Sequence, residues 1–172
     1  KGGDGSLIRE IIAPQNPNGN FGASVTGVHE IDANGTLGVL IGAPTDSTTG
    51  RAYLHNASTG ALVHVLQPTI TTGITSFGTS VKTGPDASGD GIPDLLIGAP
   101  EADTNGSTDN GAMYCFDTVT GAEIYRTDGP PSGIVAGAGP GLGTTSCTIH
   151  DVNGNGTDDI LYGVPWADPL VD

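Results

Sequence analysis

Two stretches of this chain place oxygen-bearing side chains at alternate positions around a glycine. One reads Asp86-x-Ser88-x-Asp90-Gly91-x-x-Asp94, the other Asp151-x-Asn153-x-Asn155-Gly156-x-x-Asp159. Oxygens at positions 1, 3, 5 and 9 with glycine at 6 suit a loop that curls around a hard cation. Alternate residues point to one centre, and the glycine permits the sharp turn. Calcium takes about six to eight oxygen ligands, so it fits such a loop best. Neither Cys nor His stands at these positions, which disfavours zinc and copper. Magnesium prefers fewer carboxylates and keeps its water.

A third stretch departs from the pattern. It reads Glu30-x-Asp32-x-Asn34-Gly35-x-x-Gly38, so the closing carboxylate at position 9 is missing and position 1 is one methylene longer. Its Glu30, Asp32 and Asn34 predict weak or absent metal binding. Asp, Asn and Gly are also ordinary turn residues. Recurrence of the complete set at one place in two repeats is what favours a cation. An EF-hand would need flanking helices and Glu at position 12, and neither is present.

The elements that position these loops repeat as well. Three segments align without gaps: Phe21 to Pro44, Phe77 to Pro100 and Leu142 to Pro165, their starts 56 and 65 residues apart. Between them, GRAYLHNASTGALVHVLQP and GAMYCFDTVTGAEIYRTDG each read as strand, Thr-Gly turn, strand. Each full unit therefore holds four antiparallel strands, the description of a propeller blade. The runs VLIGAP and LLIGAP are apolar on successive residues, as strands buried on both faces require. Glycine in these strands lets neighbouring backbone come close, and proline ends them.

Composition agrees with this picture and excludes others. Glycine is abundant at 29 residues, and charged residues make up 14%, too few for a solvated disordered tail. The formal charge of −14, from 19 acidic and 5 basic residues, leaves no basic patch for nucleic acid or an anionic membrane surface. No apolar run is long enough to insert in a membrane as a helix. No G-x-S-x-G elbow and no carboxylate pair outside the loops supports catalysis, so no enzyme is expected. His29 and His150, each one residue before position 1, read as strand histidines. Asn56 and Asn105 lie in expected exposed turns within Asn-x-Ser sequons and are candidate glycosylation sites. Cys115 and Cys147 form an even count that permits one disulfide without demanding it.

Phe-Gly and Gly-Ala-Pro with an Asp-rich loop between resemble the FG-GAP repeat of integrin α-subunit propellers. The resemblance covers nearly the whole chain. It implies an all-β, propeller-like array of four-stranded antiparallel blades, incomplete here. Repeat 1 would span 21–67, repeat 2 77–128 and a partial repeat 3 142–172, within one domain of 1–172. Residues 6–12 would be the last strand of a preceding or partner blade. The resemblance also implies that the carbonyls of Ile92 and Thr157 join the ligands, giving about two calcium ions, with the first loop a third, weak site at most. It implies an extracellular or cell-surface structural or adhesion module. Its partners would be other copies of itself, assembled head-to-tail into a filament or ring, or the remainder of a longer propeller, together with protein or glycan ligands. The alternatives are a non-catalytic domain of a larger secreted enzyme and a ligand-recognising receptor.

Overall fold

The computed structural model describes residues 3–69, 75–130 and 141–165. Ten strands and no helix occur among the described residues. The strands β1 (Ser24–Val28), β2 (Gly38–Ala43), β3 (Arg51–Asn56) and β4 (Leu62–Leu66) form one antiparallel sheet in that order. The strands β5 (Ser80–Thr83), β6 (Leu95–Ala99), β7 (Ala112–Phe116) and β8 (Glu123–Asp128) form a second, likewise in chain order. The strands β9 (Thr145–Ile149) and β10 (Asp159–Gly163) pair as the first half of a third. These are blades 1, 2 and 3 of a propeller-like array, as the repeats predict.

Blades stack through their first strands, since β5 touches both β1 and β9. Every residue of β6 and β7 is buried, because blade 2 is covered on both faces. One face packs Val81, Leu95, Ile97, Tyr114 and Phe116 into a core with Leu40, Leu54 and Leu66 of blade 1. The other presents Leu96, Met113 and Cys115 to Leu142 and Ile160 of blade 3. Successive residues of one strand thus serve two interfaces, which is why these strands read as unbroken apolar runs.

The repeat markers are the joints between blades. Gly78, at a φ of 95°, turns its carbonyl toward Gly42 of blade 1, where a β-carbon would lie 2.0 Å from that oxygen. Ser24 Oγ donates to the same carbonyl at 2.8 Å. The next junction repeats this joint. A β-carbon on Gly98 would lie 1.9 Å from the Gly143 carbonyl oxygen. Ser80 Oγ donates to that oxygen at 2.7 Å. Phe77, fully buried, packs edge-on against Tyr114 at 5.3 Å and Phe116 at 5.8 Å. The Phe-Gly corner of one blade thus plugs into the Gly-Ala-Pro corner of the blade before it.

Residues 6–12 make no ladder with another described strand. A fourth strand needs a third strand beside it, and the described residues supply none ahead of this segment. Arg9 Nη2 instead donates to the Ser58 carbonyl at 2.6 Å, while Leu7, Ile8 and Ile12 stay exposed. The tail 169–172, which could have supplied a third strand to blade 3, lies outside the described residues.

Candidate metal centre

Each blade carries its acidic loop between its first and second strands, so the three loops occupy equivalent places. Loop 1 spans 30–38, loop 2 86–94 and loop 3 151–159. Loops 2 and 3 share their bonds at positions 1, 5 and 9 and differ at position 3, where Ser88 gives its amide to Asp94 and Asn153 its side-chain Nδ2 to Asp159. Asp86 accepts the amides of Gly89, Asp90 and Gly91 at 2.7, 3.2 and 2.8 Å. Asp151 accepts those of Gly154, Asn155 and Gly156 at 2.6, 3.1 and 2.8 Å. At position 5, Asp90 takes the Ile92 amide and Asn155 the Thr157 amide, both at 2.8 Å. At position 9, Asp94 takes the Ala87 amide at 2.7 Å and Asp159 the Val152 amide at 2.8 Å. The position-6 glycines have φ values of 89° and 91°, a conformation costly for any residue with a β-carbon.

The electrostatics differ along each loop. The Gly91 amide, with those of Gly89 and Asp90, holds the Asp86 carboxyl below the ordinary carboxylate range. The Gly156 amide does the same for Asp151. Asp94 is 0% exposed, and burial pushes its carboxyl upward despite the Ser88, Ala87 and Thr118 amides that oppose this. Among the described residues, no ion pair reaches Asp86, Asp90, Asp94, Asp151 or Asp159. Nor do three His, Cys, Asp or Glu side chains there converge as a metal cluster. The acids stand apart along each loop, and the rest of the donor set is Ser88, Asn153, Asn155 and main-chain carbonyls. This oxygen-only set, with a buried carboxylate that no cationic side chain meets, fits a hard divalent cation.

Loop 1 keeps only part of this construction: the position-6 amide still reaches position 1 and, as in loop 3, the position-5 amide reaches position 3. Its Asp32 accepts the Asn34 amide at 2.9 Å, the Thr36 amide at 3.2 Å and the Thr36 hydroxyl at 2.8 Å. The Thr36 hydroxyl, with those amides, holds the Asp32 carboxyl below its ordinary range. Glu30 takes only the Gly35 amide, at 3.2 Å. Asn34 is exposed.

Other candidates find structural roles. Cys115 is buried and Cys147 exposed, and both are free thiols, so the permitted disulfide does not form. Cys115 faces the blade 2–blade 3 core, whereas Cys147 lies on β9 with its side chain in solvent. Asn56 is half-buried, its Oδ1 accepting the Ser58 and Thr59 amides at 2.9 Å each. Asn105 is exposed, but its Nδ2 donates to the Gly129 carbonyl at 3.1 Å. His150 Nδ1 lies 2.9 Å from Asp158 on the surface. A buried network that sequence reading missed joins Asp46 to the Tyr53 hydroxyl and to Arg51 Nη1, the latter at 2.9 Å. Its only linear trace is an Asp seven residues before a strand tyrosine.

Stacked four-stranded blades, joined at Phe-Gly and Gly-Ala-Pro corners and each bearing an acidic loop at the same place, define a propeller-type repeat protein. Residues 77–114 match the FG-GAP repeat model, which marks blade 2 as an FG-GAP repeat. Mouse integrin alpha-11 is 28% identical to it over 180 residues, covering 95% of this chain and 15% of that protein. Bovine integrin alpha-2 is 26% identical over 161 residues, covering 92% of this chain and 13% of that protein. Integrin alpha-PS2 of Drosophila melanogaster is 35% identical over 99 residues, or 54% of this chain and 7% of that protein. The chain thus spans under a sixth of the length of these relatives. It is an integrin-like segment of the extracellular space or cell surface.

Proposed function

We propose that loops 2 and 3 each hold one calcium ion and that the ions stabilise an adhesion-type module. Asp86, Ser88, Asp90, the Ile92 carbonyl and Asp94 would hold the first. Asp151, Asn153, Asn155, the Thr157 carbonyl and Asp159 would hold the second. The ion supplies positive charge where each loop gathers negative charge, which ties cation binding to the stability of the blade. The observation that carries this reading is the matched hydrogen bonding of Asp86 with Asp151 and of Asp94 with Asp159. Two unrelated turns have no reason to agree at positions 1, 5 and 9 together.

The module acts without catalysis, as a rigid element that meets other blades and presents surface to protein or glycan ligands. Those blades come from the remainder of a longer chain or from further copies arranged head-to-tail. Its kinship with integrin α chains favours a receptor or adhesion role over a domain of a secreted enzyme. Glycans at Asn56 and Asn105 belong to the same proposal. Thermal unfolding in calcium and in a chelator tests the metal assignment. The midpoint should rise with calcium, and an unchanged midpoint would remove the assignment.

A further inference from the structure

Loop 1 fills its interior differently from its two counterparts. Position 9 is Gly38, and the Ile31 side chain lies directly over it. A β-carbon added to Gly38 would come 2.4 Å from Ile31 Cγ2, 3.2 Å from Leu54 Cδ1 and 3.3 Å from Val28 Cβ. In loop 2 the equivalent position is the buried Asp94, and position 2 is the exposed Ala87. In loop 3 position 2 is Val152, 71% exposed. Only in loop 1 does position 2 turn inward: Ile31 is 7% exposed and joins the core with Val28, Leu40 and Leu54.

The polar groups follow suit. The carbonyl of Thr36, at position 7, accepts the Ile31 amide at 2.9 Å. Asp32 is occupied by its own loop through two amides and a hydroxyl. Acids of loops 2 and 3 accept as many amides as Asp32 does, so the difference lies elsewhere: the position-7 carbonyl is engaged by Ile31 and the seat of the closing acid is apolar.

We propose that loop 1 has exchanged a cation for an apolar staple closed by Ile31, so that blade 1 keeps its shape when divalent cations are withdrawn while blades 2 and 3 loosen. The contrast rests on the calcium reading of loops 2 and 3. Loop 1 has no acid at position 9, and burial of Ile31 does not depend on an ion. Loop 2 carries Asp86, Asp90 and Asp94 and loop 3 carries Asp151 and Asp159, none of them in a described ion pair, while Asp158 of loop 3 meets His150. The array would then have a cation-independent end and a cation-dependent end.

Hydrogen exchange followed by mass spectrometry, on the whole chain in saturating calcium and in chelator, tests this. Amides of 86–94 and 151–159 should exchange roughly tenfold or more faster in chelator, while those of 30–38 change by less than about twofold. Faster exchange of 30–38 alongside the other loops overturns the proposal. Ile31→Ala should speed exchange in 30–38 by about tenfold or more in both conditions, measured against β7 of blade 2 as the internal reference. No change there removes the staple whatever calcium does. Should 86–94 and 151–159 ignore the chelator while Ile31→Ala still loosens 30–38, the staple stands, and it is the calcium reading, and with it the contrast between the two ends, that fails. Gly38→Asp by itself should bind no additional calcium by calorimetry, because Ile31 holds the seat; an additional ion overturns the assignment of Ile31.

Discussion

Replacing Asp94 by Asn separates what its carboxylate does for the loop from what it does for a cation. Oδ2 accepts the Ala87 and Ser88 amides at 2.7 and 2.8 Å, and Oδ1 accepts the Thr118 amide at 3.3 Å. An asparagine has one oxygen, so its better orientation keeps the two short bonds and turns an NH₂ toward Thr118. Leaving that buried amide unpaired costs about 1–3 kcal/mol. An opposing effect comes from charge. Burial raises the Asp94 carboxyl above its unfolded value, so its ionised form weakens the cation-free fold. The stability this group contributes is full below the unfolded pKa and is lost as pH rises through the folded one. At neutral pH a neutral isostere relieves that penalty. In chelator the two effects largely cancel, and Asp94→Asn should lie within about 1 kcal/mol of wild type. In calcium the wild type gains about 2.7 kcal/mol per site when the ion is at a hundredfold its dissociation constant, and the variant should lose most of that at loop 2. Urea unfolding in both conditions reads the difference. Equal losses with and without calcium would make Asp94 a hydrogen-bond acceptor and nothing more.

The joints between blades give a second test. Gly98→Ala drives a methyl into the Gly143 carbonyl, a backbone atom that cannot swing aside, and should cost about 3 kcal/mol or more in urea unfolding. Gly163→Ala, whose nearest neighbour would be Thr145 Cγ2 at 3.1 Å, should cost far less; equal losses would deny the joint. Tyr53→Phe removes the hydroxyl that meets the buried Asp46 and should cost about 1–3 kcal/mol. Tyr114→Phe, at the equivalent place in blade 2, removes a buried hydroxyl with no hydrogen-bond partner among the described residues and should be neutral or stabilising by the same assay. Thiol labelling near pH 8 should reach Cys147 at once and Cys115 only on unfolding. Burial pushes the Cys115 thiol up to about 12, so the folded protein presents no thiolate there. Rapid modification of both cysteines in the native state would refute the packing of β7.

The blades were legible because their signals are local. Phe-Gly and Gly-Ala-Pro mark strand ends, and the run of Leu95, Leu96 and Ile97 announces a strand covered on both faces. The matching turns of loops 2 and 3 were legible because their hydrogen bonds at positions 1, 5 and 9 close within nine residues. What stayed hidden depends on contacts that spacing does not encode. Ile31 reads as an unremarkable loop residue until Gly38 leaves a hollow beneath it and Leu54, from β3, closes the far side. Asp46 lies in a turn of polar residues, and only the return of β3 brings Tyr53 and Arg51 to it. Cys115 and Cys147 suggest a pair by number, yet the alternation of strand faces points one into the core and the other outward. Residues 6–12 carry the apolar content of a strand and meet no strand to pair with among the described residues.

The central claim is that loops 2 and 3 are paired calcium sites and loop 1 is not. Titration calorimetry of calcium into the chelator-stripped chain tests it most directly. Wild type should bind about two ions per chain, Asp86→Ala and Asp151→Ala about one each, and the double variant none. Binding of no calcium by the wild type, or undiminished binding by the double variant, would contradict the account.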